Sequence, residues 1–581
     1  MKPSTIDSAT RGALLAAALL GIACEPVSGS NPDAGGNPNC PALVTAEITC
    51  TSPACSAATG TKTFAQAELK SSVAKDWVVI SLATNEVSAA EVNVDYQSAV
   101  AGGLSPGRLG RAPASPSYNA EDQVRLERLR SEARLRAAEL RGPASGPLMG
   151  TAVRGVDLLP PGVKKQQTTC TADAPKTCGA TSLCVIPEGM SSGTCESVLH
   201  LKFKLSEPAV TMVNAPVKKV GELVAIVVDE ADAASVSDAD ATELVRRFDK
   251  HIGPLDHQLF GEPKKAGKDR DGNGVVIVFV TRRLPAALPG VVGIFFKDDL
   301  RSTAEAAHSN AADLLYVAPP GGAITLDSLS GTLAHEYEHL ISFYAKVLTQ
   351  QSDQEETWLD EGLATFAEDV SGYGRDAFGN VKLFLDTPGS VSLNGNGIGL
   401  SGPDSLERRG YAALLSRYIF EQKGGAEFPS DGMSAPTDKG GVAAIKKMVQ
   451  GAETGLDAVN AVENGRSYAD WLKDLMMAVA IDGTTNADLA CLKRYNFAAP
   501  ETDGFTSFQR GLDLRATITV PGGTNIALRG PQITSFMTES GVPLPENGGE
   551  FRSVSVTSGS VKISLGGPVD AHLSLVAMPK P

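Results

Sequence analysis

The sequence predicts an α+β fold distributed over several domains. Three observations predict it. Short apolar runs of strand type lie between residues 199 and 319, a helix-rich stretch runs from Leu326 to about Asn496, and short alternating strands with Gly-rich turns close the chain. At 581 residues the chain is long for one domain. A composition of 42 % hydrophobic and 20 % charged residues supplies enough apolar surface for a large core. The formal net charge of −15 argues against nucleic acid as the main partner, because phosphate binding requires a basic face.

Residues 1–23 read as an export signal: Lys2 and Arg11 precede the apolar run "ALLAAALLGIA", which is too short to span a bilayer. "LLGIAC" resembles a bacterial lipobox with Cys24 as the acylated residue, although Gly21 stands where that pattern has Leu. Plain secretion is the alternative. No other run is apolar and long enough to span a membrane, so the expected membrane link is a lipid anchor at Cys24 and nothing else. The expected location is the cell envelope, as an outer-surface lipoprotein, or the medium.

Residues 24–60, rich in Ser, Gly, Pro and Ala, read as a tether, and 61–100 as an N-terminal β segment. Within that segment "DWVVISLATNEVSAAEVNVDYQ" (Asp76 to Gln97) has two β-favouring runs around a polar turn, as in a hairpin. Residues 101–165 form a linker with an Arg-rich helix from about Ala120 to Arg141, whose Leu126, Leu129, Ala133 and Leu140 share one stripe. A solvated helix docked on a neighbour and a membrane- or partner-binding helix both fit it, and the open composition suits proteolytic processing. Residues 166–198 are a Cys-rich insert in which Cys170, Cys178, Cys184 and Cys195 fit two local disulfides of open pairing. A zinc site there would lack the usual C-x-x-C pair. Cys40, Cys50, Cys55 and Cys491 remain, and Cys491 is placed to tie the N-terminal region to the far domain. Residues 199–505 read as the main domain and 506–581 as a C-terminal β-sandwich.

The chemistry concentrates in "GTLAHEYEHLISFYA", Gly331 to Ala345. On a helix, His335 and His339 stand about 40° apart and one turn up, so both imidazoles reach one ion. Glu336 lies about 100° round from His335, near enough to touch a bound water without ligating the metal. Asp327 or Ser328 offers a cap, and Leu329, Leu333, Leu340, Phe343 and Val347 form an apolar arc beside the metal face. Zinc needs a third protein ligand if water is to take the fourth position. "HLISFYA" lacks the third His and the Gly of the metzincins, which excludes that class. Downstream, "EETWLDEGLATFAEDV" brings Glu361 after 21 intervening residues, the spacing at which a gluzincin supplies a carboxylate from a second helix.

"TLAHEYEHLI" followed by "WLDEGLATFAED" resembles the hyicolysin-type metallopeptidases, and more loosely the aminopeptidases of the gluzincin clan. "GELVAIVVDE", "DRDGNGVVIVFVT" and "SNAADLLYVAP" are similar to the segments that precede the motif in those enzymes, so the resemblance spans roughly residues 205 to 425. It implies a thermolysin-like gluzincin domain with a mainly helical second half. Residue by residue it implies His335, His339 and Glu361 as Zn2+ ligands and Glu336 as general base. Asp360 stands where the family often has Asn. The implied activity is hydrolysis of peptide bonds in protein or peptide substrates by a metal-activated water, Glu336 taking its proton and passing it to the leaving amine. Tyr411, in "RRGYAALLSRYIF", is a candidate oxyanion donor, with a packing tyrosine as the alternative. Glu368, seven residues after Glu361, shares its helix face and would orient a ligand from behind; an exposed salt bridge is the other reading. The rival from another class is a surface-bound binding protein on a degenerate peptidase scaffold.

"DRDGNG" matches the first half of a Ca2+ loop, with Asp269, Asp271 and Asn273 as oxygen ligands. Val280 occupies the twelfth position, where a bidentate Glu belongs, so a polar turn fits better. His308 reads as a loop histidine.

Overall fold

The computed structural model describes residues 44–48, 63–71, 74–84, 91–101, 169–171, 178–204 and 210–581, less 266, 268, 396–404, 487–488, 490–491, 493–494, 521–524, 558 and 568–571. The expected leader with Cys24, the Arg-rich helix Ala120 to Arg141, and Cys40, Cys50, Cys55 and Cys491 lie outside the described residues. The chain divides into two compact units, one from residues 1–110, 485–493 and 533–581 and the other from 111–484 and 494–532. Among the described residues no helix is long and apolar enough to cross a membrane.

The larger unit is mixed helix and sheet, an α+β arrangement. Its sheet contains β1 (Val198–Phe203), β2 (Thr211–Val220), β3 (Val224–Val228), β4 (Val276–Val280), β5 (Gly293–Phe295) and β6 (Leu314–Val317), in the order β5-β6-β4-β3-β2-β1. β3, β4 and β6 run parallel, while β5 lies antiparallel on the β6 edge and β2 antiparallel to β3. The uninterrupted apolar runs of the sequence become the central strands: every residue of "VAIVV" in β3 and "VIVFV" in β4 is buried. Strands covered on both faces need no polar alternation. β1 alternates exposed and buried positions along most of its length, as an edge strand does.

Helices follow: α1 (Asp238–Arg247), α2 (Gly253–Leu259), α3 (Leu326–Phe343), α4 (Thr357–Val370), α5 (Arg375–Asp386), α6 (Leu406–Gln422), α7 (Gly441–Gln450), α8 (Gly455–Ala461) and α9 (Tyr468–Ile481). The cap of α3 is Thr325 rather than Asp327 or Ser328. Its hydroxyl accepts the Ser328 N–H, and the Ser328 hydroxyl accepts the Thr325 N–H in return. α3 packs on β5 and β6, and α4 on α3, α5 and α6. The approach of α3 to β5 depends on Gly293, where a Cβ would lie 2.2 Å from the Thr332 methyl and 3.1 Å from Glu336 Cγ. Past α3 the chain continues as a wider π-type turn that buries Lys346. Its Nζ donates to the carbonyls of Met448 and Glu453 at 2.7 and 2.6 Å and pairs with buried Glu355 at 3.1 Å, tying the end of α3 to the segment after α7. A buried ammonium is tolerable only with such a full set of acceptors.

The Cys-rich insert is a three-stranded sheet of Thr169–Thr171, Ser192–Glu196 and Leu183–Val185, in that order. It carries the bridges Cys170–Cys184 and Cys178–Cys195, which staple a segment too small for a core of its own.

The smaller unit is a sandwich of two sheets. One contains Val44–Ile48, His572–Pro579, Lys75–Thr84, Gly548–Val556 and Ile533–Ser535; the other contains Thr63–Ser71, Gly559–Gly567, Glu91–Ala101 and Glu539–Pro545. Leu69, Val79, Val94, Tyr96, Ile563, Leu565 and Leu575 from both sheets meet in one core. Two expectations differ here. Asp76 to Gln97 is not a hairpin, because its two runs enter different sheets. Trp77 through Thr84 are all buried, which an isolated hairpin cannot achieve. The N-terminal segment expected at 61–100 and the sandwich expected at 506–581 are not separate: strands from both ends pair with each other, and residues 506–532 fall in the larger unit.

Candidate metal centre

α3 and α4 build the site. His335 and His339 leave α3 one turn apart, with ring centroids 4.9 Å apart, and Glu361 comes from the first turns of α4. Ligand atoms of the three residues lie within 4.8 Å of one another, and all three side chains are buried. His335 Nε2 is 3.3 Å from Glu361 Oε2, and His339 Nε2 is 3.8 Å from Glu361 Oε1. Two ligand atoms at zinc–ligand distance on a tetrahedron stand about 3.4 Å apart, so the set has the size of a zinc cage.

The other face of each ring meets a second carboxylate. His335 Nδ1 is 2.7 Å from Glu368 Oε1, and His339 Nδ1 is 3.0 Å from Asp360 Oδ2. Both imidazoles are thereby turned with Nε2 toward Glu361. Burial opposes a charge on His335, yet the carboxylates of Glu361 and Glu368 outweigh it and push its pKa up to about 10. Burial raises Glu368, and His335 pulls it back part of the way. The field at this point favours a cation, which is the electrostatic condition for binding one. The ligand chemistry, two imidazoles and one carboxylate, suits zinc.

Glu336 faces the sheet. Its Oε2 accepts the Phe295 N–H of β5 at 2.8 Å, which holds the carboxylate at the strand edge. An open cleft of about 320 Å³ reaches the cluster at His339, Asp360 and Glu361. Phe295, Phe296 and Phe343 supply its apolar wall; Lys204, Lys297 and His308 supply polar groups. His308, a loop histidine, lines the cleft with its Nε2 2.8 Å from Asp298.

The structure brings His335, His339, Glu361 and Glu368 together. It does not bring Tyr411. That ring is fully buried and stacks on Phe384 of α5 at 4.5 Å, and its hydroxyl has no hydrogen-bond partner among the described residues. Burial pushes its pKa up. Two residues along α6 from Arg409, it points about 200° away from it. Arg409 is the residue that reaches the site, with Nη1 2.9 Å from Glu361 Oε2. Sequence reasoning missed Arg409, although two consecutive arginines directly ahead of the apolar run "GYAALL" were a visible signal. It also marked Asp360 only as a departure from the family's usual Asn.

No family model matches the chain. Over 140 residues it is 30 % identical to the neutral metalloprotease ShpI of Staphylococcus hyicus, a stretch amounting to 23 % of this chain and 31 % of that protein. The chain thus covers about a third of that relative's length, and the likeness points to a metallopeptidase family.

Proposed function

We propose that this protein is an exported zinc-dependent endopeptidase of the hyicolysin type. Its larger unit would be a thermolysin-like gluzincin domain. The observation that carries the reading is the orientation of the two imidazoles: each has Nδ1 on a carboxylate and Nε2 turned to Glu361. Such carboxylate–histidine pairs fix the ring and raise its basicity as a ligand. A bound zinc would supply a Lewis acid and a water ionised near neutral pH.

The chain's own residues do the rest. His335, His339 and Glu361 hold the ion, and Arg409 holds Glu361. Glu336, fixed on the Phe295 N–H, accepts the proton of the attacking water and returns it to the leaving amine. The apolar wall of Phe295, Phe296 and Phe343 excludes water from beside the reacting groups. The two disulfides suit an oxidising compartment, in keeping with export and with a lipid anchor at Cys24.

The test is zinc content and casein cleavage in the native chain and in Glu336→Gln. Zinc in both, with cleavage by the native chain alone, supports the peptidase. Zinc in both without cleavage in either overturns it and leaves a binding protein on the same scaffold.

A further inference from the structure

The cleft beside the metal cluster carries two ammonium groups that the proposed chemistry does not use. Lys204 follows β1 and Lys297 follows β5; both line the cleft, and both are half-buried. The chain's formal net charge is −15, yet neither lysine makes an ion pair among the described residues. The carboxylates that also line the cleft are engaged elsewhere. Asp298 meets His308 Nε2 at 2.8 Å and Arg301 Nε at 3.3 Å, Asp360 meets His339 at 3.0 Å, and Glu361 meets Arg409 at 2.9 Å. Lys202, two residues before Lys204, directs its ammonium to the carbonyls of Ala307 and Ser309, each at 3.0 Å. Lys204 has no such acceptor among the described residues.

Lys297 does have one partner, and it is a neutral one. Its Nζ donates to Gln354 Oε1 at 3.1 Å, from the end of β5 to the loop before α4. A hydrogen bond between two ionised groups is stronger than one from an ammonium to an amide, so a carboxylate entering the cleft gains by replacing Gln354 at this nitrogen. The apolar wall of Phe295, Phe296 and Phe343 strengthens that attraction by thinning the water around it. Lys297 also stands two residues beyond Phe295, whose N–H holds Glu336, so the ammonium lies close along the chain to the anchor of the general base.

We propose that Lys297, together with Lys204, forms a subsite for the carboxylate of an Asp or Glu side chain beside the bond that is cut. This rests on the peptidase reading above and names its substrate class, acidic segments of protein chains. The two lysines also offset, at the cleft, the repulsion that a strongly acidic protein exerts on such a substrate.

The test uses C-terminally amidated octapeptide pools carrying an uncharged fluorophore, with one Glu, Gln or Lys fixed at each position in turn and uncharged residues elsewhere. Binding is read by fluorescence anisotropy on the full, zinc-loaded Glu336→Gln chain, and cleavage on the native chain. At one or more positions the Glu pool should be bound and cleaved about 5- to 20-fold better than the Gln pool, with the margin shrinking in about 0.5 M NaCl. Adding Lys297→Met, which keeps the apolar stem, should reduce the margin to about twofold or less while zinc content stays native. Lys297→Glu should turn the preference toward the Lys pool, a reversal that a merely structural role would not produce. Lys204→Met should give a smaller loss, and it provides the comparison should the Lys297 variants fail to fold. Equal binding of Glu and Gln pools at every position, or a Glu preference untouched by both methionine variants, overturns the proposal. A preference for free-acid over amidated peptides in place of Glu over Gln would put a chain-terminal carboxylate in the cleft and overturn the side-chain assignment. Glu-selective binding without cleavage by the native chain would count against the peptidase reading alone.

Discussion

His335 Nδ1 and Glu368 Oε1 stand 2.7 Å apart, both buried, across the interface of α3 and α4. This contact sets which ring nitrogen faces Glu361. Removing it with Glu368→Ala should weaken zinc binding by about 10- to 100-fold while the protein stays folded. Glu368→Gln, which keeps an acceptor but loses the charge, should fall between. Competition for zinc against a chromogenic chelator measures this. Native affinity in the alanine variant would leave Glu368 a buried neighbour with no bearing on the metal.

What was legible here follows from helix geometry. His335 and His339, and likewise Glu361 and Glu368, are related by spacing along a single helix, and spacing is written in the sequence. Asp360 and Arg409 were not legible as site residues, because their roles depend on how α4 and α6 approach α3. That approach is set by packing between residues about 20 positions apart for Asp360 on His339 and about 50 for Arg409 on Glu361. Tyr411 shows the same limit from the other side. A plausible type near the motif was chosen, but the face it occupies on α6 is the one that packs on Phe384.

Gly362 marks where α4 crosses α6. A Cβ there would lie 2.5 Å from the Ala412 Cβ and 2.9 Å from the Ala412 carbonyl carbon. Gly362→Ala should therefore force the helices apart and displace the neighbouring Glu361. Overpacking of this kind costs about 1–3 kcal/mol, visible as a lower urea midpoint, and zinc affinity should drop with it. Adding Ala412→Gly should recover part of both losses, since it removes the nearest methyl. A single variant with native stability and native zinc affinity would show that the crossing is not tight.

The central strands were readable because burial on both faces leaves an uninterrupted apolar run, as in "VAIVV" and "VIVFV". The sandwich was only half readable. Its strands show their type locally, but the partner of Lys75–Thr84 lies more than 460 residues away in Gly548–Val556, and nothing local encodes that pairing. Pairing of strands so far apart satisfies both edges of a strand that no nearby segment covers.

Asp299 gives a pH signature independent of the metal site. Its carboxyl is buried beneath the loop before β6, accepting the Tyr316 hydroxyl at 2.7 Å and the Asn310 N–H at 2.8 Å. Burial outweighs these donors and lifts its pKa from 3.8 to about 6. The folded state then holds this proton more tightly than the unfolded chain does. Its contribution is fully present below about pH 4 and is lost as pH rises through about 6, the reverse of a salt-bridged carboxylate. Over that window the native protein should lose up to about 3 kcal/mol relative to Asp299→Asn, which has no proton to release. Urea unfolding of both chains from pH 4 to 7 reads the difference. Parallel stability curves would mean that the carboxyl ionises in its buried position at no cost, through donors stronger than Tyr316 and Asn310.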